Sequence, residues 1–289
     1  MVLNTSPTEY GFFDPAAATQ GKELHTRYAS ANPFPHIVLD EFLDEKIITL
    51  CLREFPRAKG TEAATYSRKQ ESGKFEYRPE SLSAPLRALL YSFNSLPFIR
   101  FLENLTGING LIPDPHFVGG GLHELIQGGY LNIHADFNYH SQMHLERRVN
   151  ALIYLNRDWK EEYGGCLELW DTQMQSRVVR IVPILNRCVI FNTTTDSFHG
   201  NPDPIRHPEG ASRRSIALYY YTATWDDSRR GRSTQFEVRP FSNDAIDYQV
   251  RAAELMEEVI PPILLRTTRK LVRRMKSPSG TKLPRSTAS

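Results

Sequence analysis

The chain has 289 residues, 40% hydrophobic and 24% charged, with a net charge of +2. Those are globular values for one large domain or two ordinary ones, and they exclude disorder of the whole chain. No apolar run approaches the ~18 residues of a membrane-spanning helix, and residues 266–289 hold eight Lys/Arg and no Asp/Glu, so the remaining body is net acidic and disfavoured for nucleic acid. The first twenty residues include Glu9 and Asp14 and lack an apolar secretory core. Cys51, Cys166 and Cys188 are odd in number and far apart, which argues against a disulfide framework and for a reducing, cytoplasmic setting.

Residues 1–32, rich in Ala, Thr and Ser, are expected to be a loosely ordered arm. Pro33 and Pro35 then impose an extended segment to Asp40. Asp44 reads as an N-cap, and Ile47, Ile48, Cys51, Leu52 and Phe55 follow at helical spacing until Pro56. Residues 57–80 are polar and read as a long loop. A second helical pattern, with Leu86, Leu89, Leu90 and Phe93, covers 83–105 and is interrupted at Pro97. From about 116 to 240, short β-branched and aromatic runs (149–155, 165–170, 177–182, 187–191, 215–222) alternate with Gly, Asn and Pro clusters, the pattern of a sandwich or barrel. The expected organisation is a single β-rich catalytic domain over 33–240 with N-terminal helices, a helical segment over 241–276 and a disordered tail over 277–289. Within the helical segment, Ile246, Val250, Ala253, Met256 and Ile260 share a face before Pro261.

The residues that carry chemistry begin with His134 and Asp136, two apart. On a strand such a pair points to one face. His199, after a later strand, can supply a third donor, and two histidines with one carboxylate suit an Fe(II) site that keeps positions open. Fourteen residues on, Arg213 and Arg214 open an apolar strand. An arginine there needs an anion, because an unpaired buried guanidinium is costly. Arg213 and Ser215 share a strand face and could grip one carboxylate. Alternation allows only one of the two arginines inward.

Four segments together resemble the Fe(II)/2-oxoglutarate-dependent dioxygenases, most closely the prolyl-4-hydroxylase-like branch. They are 33–40 with Phe42, the His134/Asp136/His199 set, 152–159 followed by Gly164 and Gly165, and 211–216, and they span about residues 33–222. The resemblance implies a mainly β fold with flanking helices around a double-stranded β-helix (jelly-roll, cupin-like) core. It implies Fe(II) held by His134, Asp136 and His199, and 2-oxoglutarate anchored by Arg213 and Tyr154. It selects Arg213 over Arg214, and Asn150, Leu152 and Tyr154 share one strand face. O₂ would then hydroxylate an unactivated C–H bond, with release of succinate and CO₂. The expected substrate is a small molecule or biosynthetic intermediate, with a peptidyl (prolyl) substrate as the alternative and a non-catalytic metal- or ligand-binding jelly-roll module as the alternative of another class.

One departure bears on the substrate. The branch often carries a tyrosine on the strand before the His134 motif, whereas 121–126 has none and offers only His123, read as a surface or supporting residue. Asp136 stands where related halogenases have a small residue, so hydroxylation is expected. The basic run 266–276 reads as a solvated helix face, with weak contact to an anionic membrane surface as its alternative. The oligomeric state is left open by the sequence.

Overall fold

The computed structural model describes residues 16–56, 64–66, 69–225, 231–244 and 247–248. The chain divides into two compact units, Met1–Ile246 and Asp247–Ser289, and the architecture below is that of the first. The expected helix over 244–260 and the tail over 277–289 lie outside the described residues, apart from Asp244, Asp247 and Tyr248. No helix among the described residues is long and apolar enough to cross a membrane.

Residues 16–56 and 84–106 supply four helices and the first strand. They are α1 (Ala17–Ala29), β1 (His36–Leu39), α2 (Glu45–Glu54), α3 (Ala84–Ser92) and α4 (Leu96–Thr106). α2 starts where expected: Asp44 accepts the Lys46 backbone N–H at 2.8 Å and satisfies one of the orphan donors of the first turn. Pro97 lies in the first turn of α4, where a missing N–H costs nothing. It therefore begins a helix rather than interrupting one.

Two expectations fail here. Residues 17–29, read as part of a loosely ordered arm, form α1. Its buried residues are Ala17, Gly21 and Tyr28, two of which carry almost no hydropathy signal. Gly21 is obligatory, since a Cβ there would come within 2.3 Å of the Phe101 carbonyl oxygen on α4. The Tyr28 hydroxyl donates to Asn192 Oδ1 at 2.6 Å, tying α1 to the sheet. The loop expected over 57–80 contains β2 (Ala64–Tyr66) and β3 (Glu71–Tyr77). Polar composition hid β3, whose Glu76 is buried and whose Tyr77 donates to Glu124 at 2.8 Å.

The remaining strands are β4 (Ile112–Pro113), β5 (Gly121–Ala135), β6 (Tyr139–His140), β7 (Leu145–Tyr154), β8 (Leu167–Trp170), β9 (Arg177–Ile181), β10 (Cys188–Asn192), β11 (His199–Asn201), β12 (Arg213–Thr222) and β13 (Gln235–Phe236). The five runs expected as strands are β7, β8, β9, β10 and β12. The main path runs β1-β10-β7-β12-β5-β11-β8-β9, antiparallel throughout, in a half-barrel. Connecting distant strands in this order needs long crossovers, which places residues 134, 154, 199 and 213 on one wall system despite their separation in sequence.

Alternation assigns the two faces. Val149, Ala151 and Ile153 of β7 and Ile216, Leu218 and Tyr220 of β12 pack with the helices in the main core. Their neighbours of opposite parity therefore face the barrel interior. There Tyr154, Leu167, Leu169, Val189 and Phe191 form a second apolar cluster.

β5 changes parity midway. His123 and Leu125 pair with Ser215 and Arg213 on the inner face, whereas His134 pairs with His199. The switch from odd to even coincides with Gly128, at φ +78°, and with a register shift against β3. Gly129 cannot carry a side chain, because a Cβ would lie 2.8 Å from the Ile126 carbonyl oxygen.

Candidate active site

His134 lies at the end of β5 and His199 at the start of β11, directly across the ladder from it. Asp136 is one residue past β5. His199 was expected after a strand; it opens one. Their donor atoms all lie within 4.8 Å of one another. His134 Nε2 is 3.6 Å from Asp136 Oδ1, and His199 Nε2 is 3.4 Å from Asp136 Oδ2.

The tautomers follow from the partners. His134 donates Nδ1–H to the Asn132 carbonyl at 2.8 Å, and His199 donates Nδ1–H to the Ser197 carbonyl at 2.9 Å. In neutral imidazoles both Nε2 lone pairs then point at the carboxylate. Three acceptors converging with no proton between them fit a cation, and two nitrogens with one oxygen suit iron. Burial keeps the His134 imidazole below its ordinary pKa and hence neutral. Burial pushes the Asp136 carboxyl up, but the Arg147 guanidinium beside it, together with His199 and His134, outweighs this and holds it well below the usual carboxylate range. Phe191 and Phe236 wall the two rings, with centroids 4.7 Å from His199 and 5.4 Å from His134.

On the same inner face, Arg213 is 4% exposed. Its Nε donates to the Gly165 carbonyl at 2.8 Å and its Nη2 to the Tyr154 hydroxyl at 3.3 Å. Gly165 leaves room for it, since a Cβ there would lie 2.9 Å from Arg213 Cδ. Among the described residues no carboxylate pairs with Arg213, so a buried cation has hydrogen bonds but no counter-charge. Ser215 pairs in register with Tyr154 on one side and His123 on the other, forming a polar row beneath Arg213. Arg214 points the other way: it bonds Glu124 at 3.3 Å and stacks 4.6 Å from the Phe55 ring on the helix side.

Three residues of this region were given no place at the metal site by their sequence context. His123, read as a surface or supporting residue, is buried and donates Nε2–H to the Gly119 carbonyl at 3.0 Å. Asn150 was placed only on a strand face; its amide donates to Asp136 Oδ2 at 2.7 Å. Arg147 was overlooked. It is fully buried, 3.0 Å from Asp136 Oδ2, and bonds Asn150 Oδ1 through Nε and Nη2 at 3.0 and 2.8 Å. Strict alternation would put positions 147 and 150 on opposite faces. A register shift of β7 against β12 near Tyr220 and Tyr221 puts them together.

His123 carries a pH prediction. Burial, then Lys74, depresses its pKa well below the ordinary 6.5. A histidine with a depressed folded pKa takes its proton more readily when unfolded. Stability is therefore full above about pH 6.5 and falls as pH drops from there toward the folded pKa, by up to ~1.4 kcal/mol per pH unit for one group. Urea unfolding of metal-free protein between pH 7 and 5 should show this slope, and His123→Gln should reduce it, leaving the contributions of His36 and His134. An unchanged slope refutes the assignment.

The family model of the 2OG-Fe(II) oxygenase superfamily matches residues 120–221. Prolyl 3-hydroxylase OGFOD1 of Mus musculus is 33% identical over 79 residues, covering 26% of this chain and 14% of that protein. The match therefore spans about a seventh of that relative. Among solved structures, a prolyl hydroxylase from Trichoplax adhaerens in complex with a hypoxia inducible factor oxygen degradation domain peptide fragment superposes with a TM-score of 0.53 at 17% identity, over 71% of this chain and 90% of that one. HygX from Streptomyces hygroscopicus, with nickel, 2-oxoglutarate and hygromycin B bound, gives 0.50 at 9% identity over 75% and 97%. The half-barrel is thus the jelly-roll core shared by these oxygenases. The profile match falls on β5 through β12, where the candidate donors lie, so this part of the chain is similar to the 2OG-Fe(II) oxygenase superfamily and the fold is that of its prolyl hydroxylases.

Proposed function

We propose that this protein is an Fe(II)- and 2-oxoglutarate-dependent dioxygenase that hydroxylates an unactivated C–H bond. The observation that carries the reading is a convergence: a cation-seeking donor set and a buried arginine with no carboxylate partner among the described residues share one barrel interior. When bound, iron with 2-oxoglutarate and O₂ supplies the oxidation, placing one oxygen atom on the substrate and the other in succinate, with loss of CO₂. His134, Asp136 and His199 would hold the metal. The Asn132 and Ser197 carbonyls fix the two ring orientations through the Nδ1–H bonds. Arg213 offers a planar fork to the far carboxylate of 2-oxoglutarate, with Tyr154 and Ser215 as hydroxyl partners. The Phe191 and Leu169 walls exclude water and strengthen that pairing.

Two substrate readings remain, each with its support. The likeness to a prolyl 3-hydroxylase favours a prolyl residue in a peptide. The lack of a tyrosine in 121–126, a stretch where prolyl-acting relatives often carry one, favours a small biosynthetic intermediate. Under anaerobic conditions, Fe(II) plus 2-oxoglutarate should give a visible charge-transfer band, and air should then give succinate. Absence of both refutes the reading. Stimulation of succinate formation by proline-containing peptides, against stimulation by a small-metabolite pool, with intact-mass detection of a one-oxygen gain, separates the two substrates.

A further inference from the structure

Arg147 is the largest fully buried side chain among the described residues, and nothing in the proposed chemistry so far requires it. Its guanidinium lies 3.6 Å from the centroid of the Tyr219 ring and 4.4 Å from that of Phe137. Rotation of the fork is blocked by those rings. Its edge meets two groups, Asp136 Oδ2 and Asn150 Oδ1, and the Asn150 amide closes the circuit by donating to the same Oδ2. A cation beside a cation site repels the metal, so attraction cannot be its purpose. Its effect is directional. With Oδ2 held by two donors, Asp136 has Oδ1 left to turn toward a metal, and the carboxylate is kept from chelating with both oxygens. A carboxylate free to chelate would occupy a position that the cosubstrate or O₂ needs.

We propose that Arg147, locked between Phe137 and Tyr219 and coupled to Asn150, is a positioning residue that holds Asp136 as a one-oxygen ligand. This rests on the reading of His134, Asp136 and His199 as a metal site. The role belongs to the planar fork and not to the charge, because one rigid edge must serve Asp136 and Asn150 together.

The test uses Mn(II) alone, titrated into the metal-free full chain and followed by electron paramagnetic resonance. Arg147→Met should weaken Mn(II) binding by roughly 10–100-fold, the usual cost of losing a partner behind a metal ligand. Arg147→Lys, which keeps the charge and is the safer variant to fold, should remain at least ~10-fold weakened. Asn150→Leu should match Arg147→Met, and the pair should be far from additive, because they act as one unit. In an Asp136→Ala background, adding Arg147→Met should cause no further loss of affinity, since the residue acts through that carboxylate. Wild-type affinity in Arg147→Lys, or a further loss in the Asp136→Ala background, overturns the proposal. So does unchanged Mn(II) binding in Arg147→Met, which would leave Arg147 with no part in holding Asp136. Failure of the wild type to bind Mn(II) overturns the metal reading itself, and is distinguishable from each of these.

Discussion

Asp136→Ala should abolish 2-oxoglutarate turnover. The carboxylate supplies the negative charge of the donor set and one of its three directions, while the two histidines remain as neutral donors. Loss of a ligand should cost more than the roughly 10–100-fold in metal affinity typical of the groups behind ligands. Succinate formation at micromolar Fe(II) should then fall below detection, while circular dichroism keeps its wild-type form. The variant also strands Arg147, a buried cation that loses its counter-charge. Metal-free Asp136→Ala should therefore unfold more readily than wild type, by about 3–5 kcal/mol if no water enters. His199→Ala should lose turnover without that instability, because the Asp136–Arg147 pair stays intact. Succinate formation near the wild-type rate in either variant would refute the site.

Arg213→Ala should raise the Michaelis constant for 2-oxoglutarate steeply. Removing one partner of a desolvated, hydrogen-bonded charge pair costs on the order of 2–5 kcal/mol, roughly 30- to several-thousand-fold. Arg214→Ala should change it little, because that side chain is spent on Glu124 and the Phe55 ring across the sheet. Binding isotherms for 2-oxoglutarate with Mn(II)-loaded protein measure both. Equal effects of the two substitutions, or a larger one from Arg214→Ala, would mean that β12 presents its opposite face to the cosubstrate. Tyr154→Phe should give a smaller rise than Arg213→Ala, since it removes a hydroxyl and leaves the guanidinium in place.

Much of the site was legible because it is built from local patterns. His134 and Asp136 are near neighbours, and Arg213 and Ser215 are separated by one residue in a strand. Alternation within a strand is a local property, so the choice between Arg213 and Arg214 reduces to a two-way question that the fold then answers. The helix beginning after Asp44 was readable for the same reason: a cap and an apolar stripe lie within one short segment. α1 was not readable, because its fit depends on Gly21 meeting a backbone oxygen of α4, a contact between residues eighty apart with no hydropathy to announce it. β3 was missed because its backbone pairing with β5 does not depend on apolar side chains.

The set of reactive residue types, their order along the chain and the strand-and-turn texture of 116–240 are all local properties of the chain. Periodicity and motif spacing act over a few residues and survive without any partner. Which groups face one another follows from the assembled sheet alone. Two parity changes, at Gly128 in β5 and near Arg147 in β7, turn side chains to a face that simple alternation would deny them. The pairing of β5 with β11 sets His134 opposite His199 across sixty-five residues, and the pairing of β12 with β7 sets Ser215 beside Tyr154. Antiparallel register is fixed by the hydrogen-bond ladder and by packing of the opposite face on the helices, both of which exist only once distant segments have met.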